Sequence, residues 1–164
     1  MKALTIWQPW ASAISLGYKH FETRGWATKY RGPIAIHAAA RLPKKSEILL
    51  LQEEYCLGES LITFGFENKE VTIRSYDDII AGRPCTILPH SSIVALAELT
   101  DCIAIKDEFI DKLDGTELAL GCYEEGRYAW KLENIVSLNP TIPCKGRQGL
   151  WNVDDKFLNM NMVR

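Results

Sequence analysis

Metal-site and membrane signatures are missing from this chain. Its five cysteines (Cys56, Cys85, Cys102, Cys122 and Cys144) form no C-x-x-C pair, and the three histidines stand at no zinc-ligand spacing from them. A tetrahedral metal site needs such paired spacing, so no metal is expected, and no other cofactor. An odd number of unpaired cysteines reads as reduced thiols, and the expected location is cytoplasmic. No apolar run reaches the roughly 20 residues that a spanning helix requires. The apolar start after Met1-Lys2 falls short of a signal peptide, because Gln8-Pro9 interrupts it. Neither a phosphate-cradling glycine loop nor a Ser-His-Asp arrangement stands out. Net positive charge is lacking as well: the formal charge is −2, which argues against a uniformly basic nucleic-acid binder.

What is present is a chain of one-domain length, 164 residues, with 47% hydrophobic residues, enough for an ordinary core. Its charge is segregated. Residues 17–45 hold seven basic side chains (Lys19, Arg24, Lys29, Arg31, Arg41, Lys44, Lys45) against the single acid Glu22. Residues 98–125 hold nine acids against two lysines. Such asymmetry gives a near-neutral protein one positive face, or else two solvated surfaces without a partner.

The stretch Gly17-Tyr18-Lys19-His20-Phe21-Glu22-Thr23-Arg24 concentrates the chemistry. Read as a strand over residues 19–24, it puts His20, Glu22 and Arg24 on one face and Phe21 on the other. Lys19 stands three residues before Glu22, so it joins them only from the turn after Gly17 or from a bulge. Glu22 between Lys19 and Arg24 would stay ionised and orient both cations. The alternative is a charge network closing the mouth of the fold. A buried network is seldom more stabilising than apolar packing, which favours the functional reading.

Gly17, Lys19, Glu22 and Arg24 resemble the G-x-K-x-x-E-x-R pattern of the ASCH domain family, in the PUA-like superfamily. Four further blocks resemble that family in its order: Trp7-Gln8-Pro9-Trp10-Ala11, Tyr30-Arg31-Gly32-Pro33-Ile34, the stretch from Leu88-Pro89 to Asp101-Cys102, and the closing pair Gly126-Arg127-Tyr128-Ala129-Trp130 and Lys145-Gly146-Arg147-Gln148-Gly149-Leu150-Trp151. The resemblance implies an α+β fold: a PUA-like small β-barrel of six to eight mostly antiparallel strands with three or four flanking helices. It implies one ASCH/PUA-like domain over residues 1–164, with a less family-like helical and loop insertion at about 43–86.

The local pattern predicts strands at residues 3–7, 34–38, 71–74, 93–99, 127–133 and 149–153. Pro9 opens a helix that Gly17 ends. Further helices are expected at 43–57, from Ser75 to Gly82 through a capping-box-like pair with Asp78, and at 107–113 with Asp107 as cap. Phe64-Gly65-Phe66 reads as a loop with apolar anchors, and Pro140, Pro143 and Gly146 as the loop before the last strand.

Three functions follow as expectations. The first is binding of RNA or a modified nucleotide in a basic, aromatic-lined cleft, without involvement of a membrane. Trp7, Trp10 and Trp26 interleave with Lys19, Arg24 and Arg31, and Lys145 and Arg147 add a second basic loop around a glycine. Bases stack on aromatic rings for roughly 1–3 kcal/mol each. Trp26, among polar neighbours, is the expected exposed ring; Trp130 and Trp151 are assigned to the core. Gln8 and His37 complete the ligand-binding set. The second is an enzyme on the same site, with Lys19 and Glu22 catalytic. The resemblance implies either an amidohydrolase of acylated nucleosides such as N4-acetylcytidine or a ribonuclease, with His20 and His37 as candidate acid and base. The deacylating relatives carry a threonine where this chain has Glu22. The third is a protein-interaction module using the acidic segment 101–125.

Overall fold

A computed structural model of the chain describes residues 1–43, 62–67, 70–75, 81 and 86–162; for 62–67, 70–75, 86–87 and 159–162 it describes the backbone only. The expected helices at 43–57 and 75–82 lie outside the described residues. Among those described, the order is β1 (Lys2–Ile6), α1 (Trp10–Ser15), β2 (Phe21–Arg24), β3 (Gly32–Ala38), β4 (Ile62–Glu67), β5 (Glu70–Ser75), β6 (Thr86–Ile87), β7 (Ser92–Ala104), α2 (Asp107–Ile110), α3 (Gly115–Ala119), β8 (Tyr128–Pro143), β9 (Leu150–Asn152) and α4 (Asp155–Met162). The fold is α+β. Six strands in the order β2-β8-β7-β3-β1-β9 form a mixed sheet curled into a half-barrel, and β4-β5-β6 form a small second sheet. β1 and β3 run parallel; the other pairings are antiparallel.

Alternation builds the core. Leu4, Ile6, Ile34, Ile36, Ala38, Leu99, Trp130 and Leu132 point to one side of the main sheet, where Ala11 and Ile14 of α1 cover them. Ala3, Ala35, Ile93 and Ile142 point to the other, where Val153 and Leu158 close it. The middle strands are therefore buried on both faces, which is why β3 and the start of β7 read as unbroken apolar runs.

α1 explains where the charged octapeptide starts. Pro9 at its cap position makes no side-chain hydrogen bond. Gln8 does that work instead: the Ser12 amide donates to Gln8 Oε1 at 3.1 Å, and Gln8 Nε2 donates to Ser12 Oγ and to the Pro89 carbonyl, both at 2.7 Å. The helix ends in a Schellman turn. Gly17, at φ +79°, donates its N–H to the Ile14 carbonyl, and the Tyr18 N–H reaches the Ala13 carbonyl. The Lys19 N–H also donates to the Ala13 carbonyl, so Lys19 belongs to the turn and β2 begins only at Phe21.

Several local expectations are corrected. Phe64-Gly65-Phe66 is the middle of strand β4, paired with Thr72 and its neighbours on β5. Pro140 and Pro143 lie inside β8, which continues to Pro143 because irregularities in its pairing with β7 absorb them. The helix at Asp107 stops at Ile110, and its cap position is Lys106. A separate turn of helix, α3, follows; Asp114 caps it by accepting the Glu117 N–H at 2.8 Å. His20 precedes β2 and is exposed, so it does not share the Glu22 face.

Candidate functional site

The curl of the sheet brings β2 opposite the end of β1. The 105–127 connection between β7 and β8 folds beside β2, where the Cys122 N–H donates to Thr23 Oγ1 and the Arg127 guanidinium donates to the Thr23 carbonyl. Between these elements opens a cleft of about 710 Å³. Thr5, Ile6, Trp7 and Trp10 form one wall; Lys19, Glu22, Thr23 and Arg24 another; residues of α2, α3 and the loop to Glu124 close it.

Lys19 lies deep in this cleft, only 1% exposed. Its Nζ is 3.6 Å from Glu117 Oε1 and 5.6 Å from the centre of the Tyr123 ring. It has no hydrogen-bond partner among the described residues. Burial pulls the amine below the ordinary lysine value of 10.5, while the carboxylates of Glu22 and Glu117 work against that shift. Glu117 is itself held from three sides: it accepts from the backbone N–H groups of His20 and Phe21 at 2.6 and 3.3 Å, and from the Tyr123 hydroxyl. Burial and the Glu117 charge push the Tyr123 hydroxyl far up, so it stays a donor.

Arg24 joins the two ends of the curled sheet. Its Nη2 contacts Glu22 Oε1 at 3.0 Å and donates to the Thr5 carbonyl at 3.1 Å. Thr5 stands one residue past the β1–β9 pairing, so its carbonyl is open to that bond. Glu22 is thus the partner of Arg24, and the nearest carboxylate to Lys19 comes from the acidic segment. The cleft is charge-balanced rather than basic, with Lys19 and Arg24 facing Glu22, Glu117 and Glu124.

Of the residues singled out from the sequence, Trp7, Trp10, Lys19, Glu22 and Arg24 line this cleft. The others do not. Gln8 is buried in its capping role. Trp26 stands edge-on to Trp130, with ring centres 4.6 Å apart, and its carbonyl accepts the Trp130 indole N–H. Arg31 pairs with Asp101 at 3.1 Å. His37 is buried against Trp151 and the Cys144 carbonyl. Lys145 and Arg147 are exposed on either side of Gly146, which packs on His37. Sequence reasoning misses Glu117 and Tyr123. The Asp114-x-x-Glu117 spacing is a signal for a capped helix, but it leaves open that the Glu117 side chain turns inward.

A family model described as ASCH domain matches residues 4–142. The chain belongs to the ASCH domain family. Human Activating signal cointegrator 1 is 25% identical over 157 residues, covering 94% of this ASCH chain and 22% of that protein. The mouse protein of the same name is 24% identical with the same coverage. The chain thus spans 22% of the length of these curated relatives. The crystal structure of ASCH from Zymomonas mobilis superposes with a TM-score of 0.54 at 14% identity, over 99% of this chain and 93% of that one, a likeness of fold. The PUA-like superfamily assignment fits the same architecture. Among the described residues of this ASCH domain, no helix is long and apolar enough to cross a membrane.

Proposed function

We propose that the cleft binds RNA or a modified nucleotide by taking one base between its indole rings and its charged wall. The observation that carries this reading is the Lys19 amine: buried at the cleft, charged or nearly so, and without a hydrogen-bond acceptor. A buried donor without a partner costs about 1–3 kcal/mol, more if charged. A ring carbonyl or ring nitrogen brought by a ligand would relieve that cost. Glu22, fixed by Arg24, would accept from an exocyclic amino group, and Trp7 and Trp10 would offer flat apolar faces. Trp26, Arg31, Lys145 and Arg147 have no part in this version of the site. A thermal-shift screen with RNA oligonucleotides and modified nucleosides tests it, because a ligand that binds only the folded state raises the melting temperature. The reading requires at least one of them to raise the wild-type melting temperature and to lose that effect in Lys19→Ala. A panel in which none does so removes it.

The lowered proton affinity of Lys19 supports a second reading, an enzyme on the same site. An amine tuned toward neutral pH can act as a general base. Lys19 would activate water against an acylated nucleoside such as N4-acetylcytidine, with Glu22 orienting the substrate. Release of acetate and cytidine by the wild type, absent in Lys19→Ala with the fold intact, is the outcome this reading needs.

A further inference from the structure

Charges inside the cleft roughly cancel, so a phosphate backbone gains little by entering it. The rim is different. Trp7 borders the cleft, yet the residue is 53% exposed, a large apolar ring left at the surface. The Arg41 guanidinium carbon lies 4.2 Å from the centre of that ring. Arg41 is outside the lining of the cleft and stands on the far side of the indole from it in sequence, just past β3. A guanidinium on an indole holds the ring in one orientation by cation–π attraction. A fixed, exposed indole beside a cation is the arrangement on which bases of a single strand stack while their phosphates are neutralised.

We propose that Trp7 and Arg41 form a second subsite at the rim, which takes the nucleotide next to the one in the cleft. The neighbouring base lies against the Trp7 indole, and its phosphate is met by Arg41. The ligand is then single-stranded RNA of two nucleotides or more, and not a free nucleoside. This inference rests on the reading of the cleft as a base site and narrows its ligand.

The experiment compares fluorescein-labelled hexaribonucleotides of each single base with the matching nucleoside 5′-monophosphates, in the wild type, Trp7→Ala and Arg41→Gln. The readout is the ratio of hexamer to monophosphate affinity and its dependence on salt. The wild type is expected to favour the hexamer. Trp7→Ala is expected to cut that ratio by roughly 5- to 150-fold, the worth of one stacked base. Arg41→Gln is expected to reduce it as well, and to flatten the slope of log affinity against log salt by about 0.7, the mark of one lost phosphate contact on a single strand. Trp7 and Arg41 stand at the surface, and a melting curve for each variant checks the fold. A hexamer that binds no tighter than its monophosphate, or a ratio that neither variant moves, overturns the subsite while leaving the cleft reading in place. Failure of the wild type to bind either probe removes both.

Discussion

The ammonium of Lys19 and the carboxylate of Glu117 face each other at 3.6 Å, both nearly sealed from solvent, one from the N-terminal turn and the other from α3. The two are not equally expendable. Glu117 answers two backbone N–H groups and Tyr123 besides Lys19. Breaking one side of a buried pair leaves a charge uncompensated and costs about 3–5 kcal/mol. Glu117→Gln keeps acceptor oxygen, so about 3 kcal/mol is expected, read as a lower urea midpoint. Lys19→Met removes the desolvated charge and leaves Glu117 three donors. It should cost clearly less than Glu117→Gln, and it should abolish any ligand-induced thermal shift. Equal losses in the two variants would contradict this asymmetry.

The depressed proton affinity of Lys19 makes stability depend on pH in a definite direction. Unfolded, the amine titrates near 10.5; folded, burial lowers that value. Between the two values the unfolded chain binds more protons, so this group's contribution to stability improves as pH rises through the window and is at its worst below it. Wild-type melting temperature, measured relative to Lys19→Met, should climb as pH approaches 10.5. Glu117→Gln removes a charge that holds the amine up, so the window should open at lower pH in that background.

His37 supplies an acid-side counterpart. Burial pulls its proton affinity below the ordinary 6.5, although the contact with the Cys144 carbonyl opposes this. The folded state therefore holds a neutral ring. As pH falls below 6.5 the unfolded chain gains the proton first, and stability is lost. His37→Gln cannot be protonated, so the drop in urea midpoint between pH 7 and pH 5 should be smaller than in the wild type. An identical drop would assign acid sensitivity to other groups.

Gly146 is fixed by crowding. A methyl group there would stand 2.4 Å from His37 Cε1, 2.6 Å from its Nδ1 and 2.9 Å from Thr5 Oγ1. Thr5 Oγ1 also accepts the Trp151 indole N–H at 3.1 Å, so it has little freedom to retreat. Gly146→Ala should destabilise by about 1–3 kcal/mol, as overpacking does, with the denaturant slope unchanged.

Legibility in the sequence follows the range of the interactions. Residues 34–38 and 93–99 are readable as strands because two-sided burial leaves an apolar run, and Gly17 is readable as a stop because only a left-handed turn follows there. Pro140 and Pro143 mislead, since a proline signals a turn unless distant pairing absorbs it, as β7 does. The short helices α2 and α3 have too few turns to show a period. In the cleft, Lys19, Glu22 and Arg24 are close in sequence and so are seen together. Glu117 reads as one of many solvated acids, and only tertiary folding shows that it turns inward.

The placement of residues 105–127 against β2 has a consequence for engineering. The octapeptide around Lys19 cannot be transplanted as a cassette. Moved to another scaffold without that distant cover, its lysine would be an ordinary surface amine, wet, fully protonated and chemically unremarked. Any protein built to borrow this chemistry must import both halves of the enclosure.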